Sequence, residues 1–170
     1  PGNGTIVATH KGRWDLFERS AIRIVEMAKA HYLQGDDSVL PRAIATREAF
    51  KNAMRLDIAM GGSTNTVLHI LAIAHEAGVD FTMQDIDAVS RDTPTLCKVA
   101  PSSHHHVEDV HRAGGIMAIL EMLSEKGLLD PDCHTVSGAS LGQQIQAYSI
   151  RTDPNPVVET FFKAAPGGVR

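Results

Sequence analysis

Cysteine, unbalanced charge and long apolar runs are all scarce in this sequence. Two cysteines, Cys97 and Cys133, in 170 residues are too few and too far apart for a disulfide framework or a CxxC zinc site, and they suit a reducing compartment. The most apolar stretch, residues 67–74, is interrupted by His69 and falls far short of the roughly 18 residues that a membrane span needs. No membrane partner is expected. Sixteen basic against twenty acidic residues leave a net charge of −4, with neither sign gathered into a block, so no nucleic-acid partner is expected either. A P-loop, a dinucleotide fingerprint, an HExxH pair and a Ser/His/Asp order are also missing. What is present is a chain with 43% apolar and 21% charged residues, enough at this length to bury one sizeable core. No internal boundary divides it, so residues 1–170 read as one unit. The ends, Pro1-Gly2-Asn3-Gly4 without an initiator Met and Pro166-Gly167-Gly168-Val169-Arg170, read as turns of an excised piece of a longer protein.

Periodicity predicts helices, with a few short strands. Residues 5–9 form a short β-prone run. Between residues 14 and 34, Phe17, Ala21, Ile24, Val25, Ala28 and Tyr32 recur at helical spacing, predicting an amphipathic helix ended by Gly35. Thr46 can cap a second helix to about Asp57, with Ala49, Phe50, Ala53 and Met54 turned inward. The run from Val67 to Ala77 is apolar around most of its circumference and predicts a helix buried on nearly all sides, stopped by Gly78. Thr82-Met83-Gln84-Asp85 has capping-box spacing and opens a helix to about Arg91. Thr95 to Val99, bounded by Pro94 and Pro101, reads as a strand. Helices follow from about Val107 to Ala113, from Ile116 to Lys126 and from about Leu141 to Tyr148, with a short segment near Thr135 and Val136, a breaker at residues 153–156 and a helical turn through Phe161.

Gly61-Gly62-Ser63-Thr64-Asn65 is the most informative stretch. Two glycines let the backbone approach a ligand, and hydroxyl and amide groups follow where a helix leaves several N–H donors unpaired. Such an N-terminus is a ready anion site, while Ser63 or Thr64 can equally serve as a plain cap above a tight turn. Asn65 and His69, four apart, share a helix face. His104-His105-His106 with Glu108, Asp109 and His111 suggests a metal site, but His106 and His111 would point roughly 140° apart on a helix, and Glu108 and Asp109 suit a helical first turn. Cys97 reads as a buried thiol in its strand, and Cys133 as a loop thiol open to exposure.

Four blocks carry a resemblance to a known family. Asn52-Ala53-Met54, Leu56 to Thr66, Leu96-Cys97-Lys98-Val99-Ala100-Pro101-Ser102 and His106 to Ile116 together resemble dihydroxy-acid dehydratase, and the likeness runs nearly from end to end. The wider family, with 6-phosphogluconate and sugar-acid dehydratases, shares the Gly-Gly-Ser-Thr-Asn block. The stretches Cys97 to Pro101 and Val107 to His111 look more like the dihydroxy-acid branch. The resemblance implies a slice of a larger N-terminal α/β domain. It also implies a hydro-lyase of valine, isoleucine and pantothenate precursor synthesis that converts 2,3-dihydroxy-3-methyl acids to 2-keto acids. An iron–sulfur cluster, [2Fe–2S] or [4Fe–4S], and Mg²⁺ are implied for the whole enzyme, as are a homodimer and a location in the bacterial cytoplasm or a eukaryotic organelle. The family's cluster cysteines, magnesium ligands and catalytic serine match no position here, so this chain is expected to hold neither a catalytic residue nor a metal ligand. Gly61, Gly62, Ser63, Thr64 and Asn65 are its expected substrate-binding residues. Three other readings remain open: a sugar-acid dehydratase, a His-rich metal-binding module and a helical interaction domain.

Overall fold

The computed structural model describes residues 6–101, 103–152, 155, 156 and 158. Eight α-helices are seen among them: α1 (Gly12–Gln34), α2 (Pro41–Ile44), α3 (Arg47–Ala59), α4 (Thr64–Ala77), α5 (Met83–Asp92), α6 (Val107–Arg112), α7 (Gly115–Glu125) and α8 (Leu141–Ala147). A 3₁₀ turn over Asp37–Val39 joins α1 to α2. The mostly helical architecture is the one expected, and the helix ends follow the cap chemistry of the sequence. Thr46 accepts the Ala49 amide at the start of α3. Thr82 and Asp85 form the capping box of α5, and Ser140 and Gln143 form that of α8.

α3 is the central element because it presents two apolar sides. Phe50 and Met54 enter one core with Ile70, Ala74, Phe81, Ile86 and Val89 from α4, α5 and the loop between them. Ala59, with Leu56 beside it, enters a second core built on α7 and α8, where Leu123 is fully buried. The C-terminus of α3 therefore lies where the two cores meet, and the chain leaves it directly into Gly61 and Gly62. Asn52, also buried, ties α3 to the loop before α8. Its side chain donates to the Asp130 carbonyl (2.9 Å) and accepts from the Asp130 amide (3.0 Å).

Several expectations are corrected. Residues 95–99 form no strand: the Leu96 and Cys97 amides both donate to the Ala59 carbonyl, at 2.7 and 3.0 Å. Their donors satisfy a helix end that would otherwise lack partners. Residues 6–9 form a turn rather than a β run, and near residues 135–136 there is only an isolated bridge between His134 and Ser140. Ala53 is exposed, not inward. α4 is not buried all round, since Leu68 and Ile73 face solvent while Ile70 and Ala74 are covered. α1 has no buried residue at all. Its apolar stripe faces away from the body, and the side that rests on the body carries Arg23, whose Nε donates to the Val136 carbonyl. The turn expected at residues 1–4 and the helical turn through Phe161 lie outside the described residues.

Candidate substrate-binding turn

The chain reverses from α3 into α4 through Gly61 and Gly62, and two features make glycine necessary. Gly61 has φ +62°, in the left-handed region that side chains disfavour. Gly62 lies against Asp57: a Cβ there would sit 2.1 Å from Asp57 Oδ1 and 3.0 Å from the Asp57 carbonyl. The Gly62 amide donates to that carbonyl at 2.8 Å. Asp57 Oδ1 in turn accepts from the Ser63 amide (3.2 Å) and from the Thr66 hydroxyl (2.8 Å). One carboxylate thus braces the glycine turn and the first turn of α4 together.

α4 starts at Thr64, as the spacing predicts, with Ser63 as its cap. Ser63 Oγ accepts from the Asn65 amide at 3.2 Å, and the Ser63 carbonyl accepts from the Thr66 amide at 2.9 Å. Gly61, Gly62, Ser63, Thr64 and Asn65 are all exposed, so the turn is open surface braced from beneath. His69, one turn further along α4, is exposed as well. The carbonyl of Cys97 lies 3.4 Å from where a Gly61 Cβ would stand, so the residue 94–100 segment forms the neighbouring wall. Sequence reasoning missed Asp57 as the brace. The signal was its place four residues before Gly61, near enough to reach back under the turn once α3 ends.

The histidine-rich stretch is organised as a helix start. Asp109 Oδ2 accepts the His106 amide at 2.9 Å, and this hydrogen bond holds the Asp109 carboxyl below its ordinary range. Glu108 pairs with Arg112 one turn on. Among the described residues, no three His, Cys, Asp or Glu side chains gather in a way that could hold a metal ion. Cys97 is half-buried, its thiol directed at the Ala59 carbonyl. Cys133 is half-buried too, and accepts from Asn52 Nδ2 at 3.4 Å. Burial raises both thiols above their ordinary range, away from the thiolate form that binds metal.

Clefts among the described residues lie elsewhere. One of about 650 Å³ is bounded by residues that include Arg91, Thr93, Leu96, Met122, Lys126 and Arg151. Another, about 300 Å³, lies between Leu71, His75 and Phe81. Gly61 to Asn65 line neither.

The described residues thus form a helical body with an Asp-braced glycine turn at the head of α4, and comparison with known families gives its class. Residues 1–144 match the family described as Dihydroxy-acid/6-phosphogluconate dehydratase N-terminal. The chain belongs to this family, whose dehydratases are hydro-lyases.

Proposed function

We propose that this chain is part of a hydro-lyase that dehydrates 2,3-dihydroxy-3-methyl carboxylic acids to 2-keto acids in branched-chain amino-acid biosynthesis, with Gly61 to Asn65 contributing to the wall of the substrate site. The family match supports the reaction class. The Cys97 to Pro101 and Val107 to His111 stretches support the dihydroxy-acid branch, because they resemble it more than the sugar-acid branch. The observation that carries the site assignment is the braced turn: Asp57 fixes a glycine approach and the head of α4 in one geometry, with its polar groups exposed.

The chemistry removes a C2 proton and the C3 hydroxyl as water, leaving an enol that tautomerises to the keto acid. Negative charge on the substrate carboxylate and on the developing enolate is where the positive end of α4 and the Ser63 and Asn65 side chains would act. The proposed enzyme uses an iron–sulfur cluster and Mg²⁺. The described residues do not fit either group: a cluster needs several converging thiolates, and the two thiols here are half-buried, separately engaged and raised by burial. Mg²⁺ needs converging oxygen ligands, and no three His, Cys, Asp or Glu side chains among the described residues gather to hold a metal ion. No step is assigned to either group through this chain. Anaerobic reconstitution of the chain is expected to give no stable cluster by iron and sulfide assay.

Replacing Asn65 by Leu in the complete enzyme tests the site assignment. Loss of one hydrogen bond to a charged group, about 1.5–3 kcal/mol, corresponds to a fall in kcat/KM of roughly tenfold or more, with cluster content unchanged. Normal turnover per cluster, together with a lower melting temperature, would reduce the turn to a structural cap. Assaying 2,3-dihydroxy-3-methylbutanoate against 6-phosphogluconate decides the substrate branch.

A further inference from the structure

Asp57 lies in the last turn of α3 and is half-buried, whereas Gly61 to Asn65 are exposed. It accepts three donors from the far side of the reversal. The Gly62 amide donates to its carbonyl (2.8 Å), and the Ser63 amide (3.2 Å) and Thr66 hydroxyl (2.8 Å) donate to Oδ1. The same oxygen fills the space that a Gly62 side chain would need, 2.1 Å from the Cβ position. Bonds from the Asn65 amide to Ser63 Oγ and from the Thr66 amide to the Ser63 carbonyl shape the start of α4 without reference to α3. The Asp57 bonds tie that start to α3. Packing of Ile70 and Ala74 places the later turns of α4; Asp57 places the first. α3 is itself anchored in both cores, by Met54 and Ala59, and its Ala59 carbonyl is held by the Leu96 and Cys97 amides.

We infer that Asp57 is a positioning residue for the proposed dehydration: through the Ser63 amide and the Thr66 hydroxyl it sets where Ser63, Thr64 and Asn65 stand, without touching substrate itself. The inference rests on the reading of this turn as part of the substrate wall. Groups on such a wall help the reaction only when they are in place before substrate arrives, because a displacement of about 1 Å from the productive geometry can cost on the order of 10²-fold in rate. A glycine pair is a poor holder by itself, since glycine gives up more conformational freedom on ordering than any other residue. A hydrogen-bonded carboxylate against Gly62 supplies the missing constraint, and its negative charge suits the head of α4.

The test uses the complete enzyme, with rates expressed per cluster and measured below the melting temperature. Asp57→Ala is expected to lower kcat by roughly tenfold or more, and Asp57→Asn, which keeps an acceptor oxygen, to retain most of the activity. Thr66→Val removes one donor at nearly constant volume, and it carries the test if Asp57→Ala does not fold. It is expected to lower kcat in the same direction and to add nothing when combined with Asp57→Ala. Hydrogen exchange read by mass spectrometry should quicken at residues 63–66 in Asp57→Ala and stay unchanged at residues 50–54. Normal turnover per cluster in Thr66→Val and in folded Asp57→Ala, with only a lower melting temperature, would overturn the inference. Asn65→Leu separates the two readings. If it slows turnover and the Asp57 and Thr66 variants do not, the substrate wall stands and the positioning role falls; if Asn65→Leu turns over normally, both fall.

Discussion

At the scale of single residues, Asp57 and Asn52 do more than their sequence positions suggest. Asp57 holds Ser63 and Thr66 on one oxygen. Asp57→Ala removes both hydrogen bonds, one exposed and one part-buried, and is expected to cost about 0.5–1.5 kcal/mol for each. Asp57→Asn retains a side-chain oxygen and is expected to keep most of the stability. If both variants melt alike, the brace is not the carboxylate oxygen. Gly62→Ala forces a methyl group into Asp57, and the resulting overpacking is expected to destabilise by about 1–3 kcal/mol. Urea denaturation measures all three. Asn52 satisfies both backbone groups of Asp130 from within the protein, a clamp that reads in the sequence only as one polar residue among helix formers.

At the scale of elements, α5 carries its own pH dependence. The Thr82 amide hydrogen bond is the main influence holding the Asp85 carboxyl below 3.8, and the Arg47 ion pair acts in the same direction. Because the folded pKa is depressed, the stabilisation is complete above the unfolded value. It is lost as pH falls through the folded one, so the window lies below pH 3.8. Asp85→Asn is expected to lower the melting temperature at neutral pH and to flatten the acid limb of the stability profile. An unchanged acid limb would place the acid sensitivity elsewhere. The 95–99 segment teaches a different lesson about elements. Its β-prone residues serve as donors to the end of α3, because an unpaired helix carbonyl is near and no neighbouring strand is found among the described residues.

At the scale of the whole molecule, two cores share α3, and the sharing predicts cooperativity. Met54→Ala in one core and Leu123→Ala in the other are each expected to cost about 2–5 kcal/mol. Both should shift one common unfolding transition. Two separate transitions by calorimetry would show that the cores fold independently. Leu68→Ala, on the exposed side of α4, is expected to stay within about 0.5 kcal/mol of the unsubstituted chain.

Local chemistry determined most helix starts and stops before any tertiary contact was considered. Thr46, Ser63, Thr82 and Ser140 cap helices, and Gly35 and Gly78 end them, because capping depends on atoms within four residues along the chain. The Gly61 to Asn65 turn was legible for the same reason. Periodicity also marked the stripe on α1, but a stripe says only that an apolar face exists. Which body it meets is decided by the arrangement of the other helices, and here it faces outward. Burial of Phe50 and Met54 but not Ala53, exposure on α4, the reach of Asp57 beneath Gly62 and the use of Ala59 as an acceptor for residues 96 and 97 all depend on where α3 lies. That position follows from two packed cores that bring together residues distant in sequence, and no local pattern encodes the distances between them.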